Sequence, residues 1–524
     1  MVAPREGDRD RFEMRGELGV GATGAVFRVF DHRRGEEVAL KTLRRVNGAD
    51  LYRFKREFRS LVGFAHPNLA TLHELFVVDD EWMFTMELVD GVRFDHHVRN
   101  TPVAPAIEDD EEATVVVPRR VAGAGTLDEA RLRAALIQLA DGLTALHAAG
   151  MVHRDLKPSN VLIDRSGRAV ILDFGLVVEQ DKVDRTHERG SVGTVAYMSP
   201  EQSADLAVTP ATDWYSVGVM LYEALTGQRP FRGAAHDVML RKQYEEFPRP
   251  SAIARDVPAD LEALCIALLD RDPDQRPDGA AILAGLGAEP SAATRRIRDL
   301  AEQPPPSAPA EPLAWVRAAL DDSRDHMVVA MLHGPHGSGK TRVLDAFAQE
   351  LRADPEVLVI SGTDNSRVQT LLPGLDQALD RLSAFVMSLP HADVESLVHD
   401  AAPLARLFPA LRRIPMLQLP TLPQSRPVSS DDVIHQGLGA LRRVFHRLAE
   451  RRRLVLVVDE SRVWDDPTAR LMTEHFVGPD MPRMLVLLGM DADKFEGNPG
   501  VDDFRRWATD HGGDLRFFDL GDLG

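Results

Sequence analysis

Cysteine is almost absent from this chain: Cys265 is the only one among 524 residues. Disulfide frameworks and cysteine-rich metal sites are thereby excluded, and the apolar run LEALCIALLD around it marks Cys265 as a small core residue. Long hydrophobic runs are missing too. No stretch approaches the roughly 18 apolar residues that a membrane span requires, and the opening MVAPREGDRDRF carries charge without an apolar segment. The expectation is a cytoplasmic protein with no membrane contact. Positive charge is in deficit, with 62 Lys and Arg against 81 Asp and Glu and a net charge of -19. Counterion release needs a basic face, so nucleic acid is not an expected partner. No internal repeat of the length used by solenoids or propellers is visible.

What is present is ordinary globular material, 44% hydrophobic and 27% charged, in a chain longer than one hydrophobic core usually organises. After a tail of residues 1–11, residues 12 to about 98 alternate short β-rich stretches such as VFRVF and EVALKTL with one helical stretch, DLYRFKREFRSLVGF. A small, mostly β lobe is expected there. From 127 to about 286 the periodicity is helical, as in ARLRAALIQLADGLTALHAAG, which predicts a larger helical lobe. Residues 101–125 between the lobes contain EDDEE and read as a surface insertion. The first domain is thus expected to span 12–286. The stretch 287–312, with PPPSAPAEP inside it, reads as an interdomain linker. From 313 to 524, the runs MVVAMLHG, LRADPEVLVISG, LVLVVDE and RMLVLLG are buried-strand candidates separated by helical stretches, which implies an α/β fold with a mostly parallel sheet.

Chemistry enters first at LGVGATGAV, where Gly19, Gly21 and Gly24 form G-x-G-x-x-G between β-rich runs. Such a turn lets backbone N–H groups approach phosphates closely, a device that dinucleotide-binding folds also use. The strand VALK follows with Lys41, then a helical stretch with Glu57. HRDLKPSN (His153 to Asn160) and DFG (Asp173 to Gly175) decide between these readings. With them, residues 12 to 286 resemble the bacterial eukaryotic-like, or Hanks-type, serine/threonine protein kinases. The resemblance implies a bilobal α+β fold with ATP in the cleft and transfer of its γ-phosphate to protein Ser/Thr hydroxyls. By the same resemblance Asp155 receives or orients the acceptor proton, Lys157 neutralises the γ-phosphate, and Lys41, steadied by Glu57, grips the α and β phosphates. Asn160 and Asp173 would hold Mg2+, for which Mn2+ could substitute. Thr194 would contact Asp155 and Lys157. Leu18, Gly19, Gly21 and Gly24 would cover the nucleotide, Val26, Ala39, Met86 and Leu162 would enclose the adenine, and Glu87 to Val89, including Leu88, would form the hinge. Glu201 is expected to pair with Arg276, and Asp213 to anchor the catalytic loop. Arg154 implies regulation by a phosphate on the activation loop, at Thr186 or Ser191, because a guanidinium among like charges is settled by an anion. A scaffold that only binds nucleotide is the competing class, but Lys41, Asp155, Asn160 and Asp173 are all intact.

A second phosphate motif, GPHGSGKT, runs from Gly334 to Thr341 after an apolar strand and before a helical stretch. Gly334, Gly337 and Gly339 allow an anion nest at a helix N-terminus, Lys340 can reach β and γ phosphates, and the Thr341 hydroxyl can ligate Mg2+. LVLVVDE places Asp459 and Glu460 as a magnesium-polarising carboxylate and a base. VVDESRVWDDPTARLM resembles the AAA-like ATPases found behind bacterial kinases, which implies a second ATP site and association of copies through this domain. Two departures stand out: PLAWVRAALDDSR replaces the usual opening Phe-x-Gly-Arg-Glu, and LLGMDAD replaces a polar residue followed by arginine. A helical lid is not expected after RFFDL. Whether this domain hydrolyses ATP or only binds it stays open.

Overall fold

The computed structural model describes residues 11–21, 24–43, 48–78, 81–99, 126–173, 192–204, 206–302, 308–363, 368–369, 373–417, 430–459, 481–495 and 498–521. The expected insertion, Thr186, Ser191 and Glu460 lie outside the described residues. The chain divides into two compact units, Met1–Val46 with Arg53–Pro304, and Asn47–Tyr52 with Pro305–Gly524.

In the first unit, strands β1 (Phe12–Gly21), β2 (Gly24–Asp31), β3 (Glu36–Leu43), β4 (Leu72–Val78) and β5 (Glu81–Glu87) are antiparallel neighbours in the order β1-β2-β3-β5-β4. Their β-branched and aromatic residues alternate between faces, so Val29, Val38, Leu40 and Phe76 share one cluster. Helix α1 (Gly48–Leu61) presents Phe54 and Phe58 to the opposite face, with ring centroids 5.5 and 5.8 Å from Phe84.

The helical lobe is built on α2 (Glu129–Ala148), started by the Asp128 carboxylate accepting from Arg131 N at 3.0 Å. Leu132, Leu136, Leu139, Leu143 and Leu146 recur three and four apart and are all buried. A small antiparallel sheet, β6 (Gly91–Arg93), β7 (Val161–Asp164) and β8 (Ala169–Ile171), carries the segment between Asn160 and Leu172. Helix α3 (Val192–Tyr197) leads to α4 (Pro210–Thr226), which begins at Thr209-Pro210 and stops at left-handed Gly227. Residues Thr212 to Tyr222 of α4 are buried all round, so it forms the centre of the lobe. Helix α5 (Ala235–Tyr244) follows.

Residues of the expected linker include a further helix, α6 (Ala292–Glu302). Its hold on α2 is polar: buried Thr294 donates to Asp141 Oδ1 at 2.7 Å, Ser291 N donates to the same oxygen at 2.9 Å, and His66 Nε2 lies 3.3 Å from Asp141 Oδ2. The helix AATRRIRDLAE holds only two large apolar residues, Ile297 and Leu300, and is followed by a Pro-rich stretch, so composition reads as linker.

The second unit opens with α7 (Ala310–Asp322) and contains a fully parallel sheet. Strands β9 (Val328–Gly334), β10 (Val357–Thr363), β11 (Arg453–Asp459), β12 (Met484–Asp491) and β13 (Asp514–Asp519) are ordered β10-β11-β12-β9-β13. The run DLRFFD, which the apolar pattern left unassigned, is an edge strand. Alternate residues of β9 serve two cores: Val328, Ala330 and Leu332 join Val343 and Phe347 of α8 (Lys340–Arg352), while Val329 and Met331 join α9 (Pro373–Met387) and α10 (Ser430–Ala449). Coverage on both faces is why these strands are apolar without interruption. Helix α11 (Pro499–Asp510), capped by Asn498, leads into β13. Among the described residues no helix is long and apolar enough to cross a membrane.

Candidate functional site

Arg154 and Asp173 both have positive φ, 68° and 51°. Non-glycine residues hold this conformation only where the surroundings determine it. For Arg154 the determinant is Asp213 of α4: its fully buried carboxylate accepts His153 N and Arg154 N at 2.8 Å each, and His147 Nε2 at 2.8 Å. On the opposite side His153 Nε2 donates to Leu172 O at 2.8 Å, and its Nδ1 accepts from Asp155 N at 3.3 Å, a pairing that fixes the neutral tautomer. Leu172 N in turn donates to Asn160 O at 2.8 Å. The segment bearing Asp155 and the one bearing Asp173 are therefore stapled together.

Side chains converge on this frame. Asn160 Nδ2 donates to Asp155 O at 2.8 Å and to Asp155 Oδ2 at 3.1 Å. Lys157 Nζ lies 3.2 Å from the same Oδ2. Lys41 Nζ, reaching from β3, contacts Asp173 Oδ1 at 2.7 Å, with both side chains 4% exposed. Two carboxylates, an amide and two ammonium groups thus form two polar groups, Asp155 with Lys157 and Asn160, and Lys41 with Asp173, joined through the backbone bonds of Leu172. Glu57 lies on α1 and Thr194 on α3, but their side chains are outside the described residues.

Above the cluster, β1 and β2 close a hairpin through the pair Gly21 and Gly24. Only glycine fits position 24, where φ is 153° and a Cβ would sit 1.7 Å from Thr42 O. Leu18 and Gly19 lie on β1 just before this turn. Val26 faces Lys41 across β2 and β3, and Ala39 faces Met86 across β3 and β5. Val26, Ala39, Met86 and Leu162 are all buried. Glu87 ends β5 with its side chain turned back to accept Thr71 N at 3.2 Å and to pair with Arg168, which leaves the backbone of Leu88 and Val89 to form the connection between lobes.

Arg276 meets Glu201 with two hydrogen bonds, 2.7 and 2.9 Å, and Thr212 Oγ1 donates to Glu201 at 2.9 Å. Burial works to raise the Glu201 carboxyl, but the Arg276 bonds outweigh it and hold it below its ordinary value.

Sequence reasoning missed Lys242 of α5. It is 1% exposed, and its ammonium donates to Val195 O, Ala196 O and Met198 O at 2.7, 2.7 and 2.6 Å. Burial pushes it down to about 7, aided by Arg229. Within the polar run AHDVMLRKQY nothing separates this lysine from a surface one.

In the second unit Gly334, Gly337 and Gly339 all take positive φ, 156°, 84° and 95°. The loop they shape enters α8 at Lys340, with Thr341 exposed beside it. Lys340 Nζ donates to Gly334 O at 2.9 Å and Pro335 O at 2.8 Å, and lies 2.8 Å from Asp491 Oδ1. Parallel pairing of β9 with β12 sets Asp491 opposite Gly334. Asp459 is buried at the end of β11, so close to Gly489 that a Cβ there would lie 2.6 Å from its Oδ1. The sequence departure LLGMDAD thus delivers a carboxylate to the loop lysine, a contact visible only once the strands are paired.

A bilobal cleft of this construction defines a protein kinase. Residues 12–285 match the protein kinase domain and residues 310–487 the AAA ATPase domain, and the chain belongs to the protein kinase family. It is similar to serine/threonine-protein kinase PkaA of Streptomyces coelicolor, 33% identical over 292 residues that cover 51% of this chain and 48% of that protein. PknL of Mycobacterium tuberculosis is 32% identical, covering 53% of this chain and 65% of its own length. PrkC of Bacillus subtilis is 29% identical, covering 51% and 38%. The chain therefore spans less than two thirds of the length of each of these three relatives.

Proposed function

We propose that this protein transfers the γ-phosphate of ATP to serine or threonine hydroxyls of other proteins. The observation that carries the reading is the joined cluster of Asp155, Lys157, Asn160, Asp173 and Lys41. Phosphoryl transfer spreads negative charge over the equatorial oxygens, so it calls for fixed cations and a carboxylate beside the incoming alcohol. Asp155 would orient that hydroxyl and take its proton as the new P–O bond forms and the bond to the ADP oxygen breaks. Lys157, neighbouring Asp155, would face the charge that develops on the transferred group. Lys41 would hold the non-transferred phosphates.

Asn160 and Asp173, on segments joined by the bond from Leu172 N to Asn160 O, carry hard oxygen ligands, a donor set that suits Mg2+ bound through one or two protein oxygens together with phosphates; Mn2+ could substitute. That ion would neutralise phosphate charge. Asp213 would keep Arg154 and Asp155 in the working backbone geometry.

We further propose that the unit from residue 313 binds a second ATP through Gly334, Gly337, Gly339, Lys340 and Thr341, with Asp459 and Glu460 at the metal and water. That unit would regulate or assemble the kinase, and loop phosphorylation at Thr186 or Ser191 would activate it in the cytoplasm. Incubating the purified chain with labelled ATP and Mg2+, then mapping phosphosites, tests the first reading. Label on protein Ser or Thr that vanishes in Asp155→Asn supports it. Equal labelling by Asp155→Asn overturns it.

A further inference from the structure

Helix α3 is six residues long, so its last carbonyls have no partner within the helix. Every carbonyl from residue 195 to residue 198 is nevertheless taken, and from outside the segment. Lys242 accounts for Val195, Ala196 and Met198, while Ser216 Oγ donates to Tyr197 O at 2.9 Å. Three acceptors match the three N–H bonds of an ammonium, and a neutral amine could not serve them all.

Lysine is seldom buried without a countercharge, because leaving water costs a charged group several kcal/mol. Among the described residues no carboxylate pairs with Lys242. The ring of Tyr215 lies with its centroid 5.7 Å away, and the charge of Arg229 is of the same sign. A methionine would fill the same space without that cost. The charge is accounted for by the shape it imposes on residues 195–198.

That segment adjoins the reacting groups. It follows Thr194 directly, and Gln202 Nε2 just beyond it donates to Arg154 O at 2.8 Å, one residue from Asp155. Gln243, next to Lys242, donates to Pro200 O at 2.7 Å, so α5 grips the chain on both sides of Ser199.

We propose that Lys242 is a positioning residue for the acceptor protein: by clasping three carbonyls it holds residues 195–198 as the surface on which the chain carrying the target hydroxyl lies. This rests on the kinase reading. It predicts an effect on the acceptor rather than on ATP, because the Lys41 and Asp173 contacts lie on different elements.

The test compares the full chain with its Lys242→Met and Lys242→Gln variants. The acceptor is a serine peptide copied from a site mapped with labelled ATP, and amide hydrogen exchange is followed over residues 195–199. We expect Lys242→Met to raise the peptide KM about tenfold or more, with the ATP KM within about twofold and faster exchange confined to this segment. Lys242→Gln, which keeps two donors, should fall between and guards against a misfolded methionine variant. An unchanged peptide KM in both variants overturns the proposal, as does a parallel loss for peptide and ATP with exchange raised throughout the lobe. Absence of phosphotransfer in all three proteins, the wild type included, overturns the kinase reading and this proposal with it.

Discussion

Asp491, at the end of β12, and Lys340, the first residue of α8, sit 2.8 Å apart. A carboxylate so close to the lysine that would contact β and γ phosphates also faces those phosphates, and like charges at that range repel. Asp491→Asn keeps the size and removes the charge. It should tighten ATP binding by the second unit on the order of tenfold, about 1.4 kcal/mol. Calorimetric titration in an Asp155→Asn, Lys41→Met background isolates this site; equal or weaker binding would show that Asp491 assists the nucleotide instead.

Asp213 holds two consecutive N–H groups whose backbone is strained at Arg154. Asp213→Ala leaves the buried His153 N–H unmatched, at a cost of about 1–3 kcal/mol, and frees the part-buried Arg154 N–H. Denaturant melting should register the loss, and kcat should drop by more than tenfold with little change in nucleotide affinity.

For Glu201 the linkage has a definite sign. Its carboxyl lies below its ordinary value in the folded protein, so the unfolded chain binds the proton more readily. The pair with Arg276 therefore adds stability above the ordinary glutamate value of about 4.3, and that stability fades as the pH falls through the lower folded value. Tm measured from pH 6 to pH 3 should decline more steeply for the wild type than for Glu201→Gln, while at pH 6 the variant should already be the less stable of the two.

Thr294→Val removes the hydroxyl that ties α6 to Asp141 but keeps the shape. Losing this buried bond should cost about 1–3 kcal/mol locally. Amides of residues 292–302 should then exchange at least tenfold faster, with the β lobe unaffected.

The contacts among Asp155, Lys157 and Asn160 were legible in advance because HRDLKPSN sets them within six residues, in a motif whose chemistry would call for such groups at one phosphate. The parallel sheet was legible from uninterrupted apolar runs. Lys242, Asp491 and Thr294 were not, and for a common reason. Each is a polar residue whose meaning depends on a carbonyl, lysine or carboxylate more than 40 residues away, and no local periodicity records such a partner. The strand DLRFFD was hidden for a different reason: it lies at the sheet edge, half-buried, and so lacks the continuous apolar character of its neighbours.

Strand β9 has oil on both sides, so polarity gives it no sense of which way to face. A slip by one residue would trade one greasy surface for another at little hydrophobic cost. The turn at its end is more exacting: Gly334 adopts φ 156° and a Cβ would press to 2.9 Å from Ser338 Oγ and 3.2 Å from Leu520. A side chain added at Gly334 would therefore disturb the end of β9 as well as the loop that leads to Lys340, so one glycine serves the sheet and the turn together.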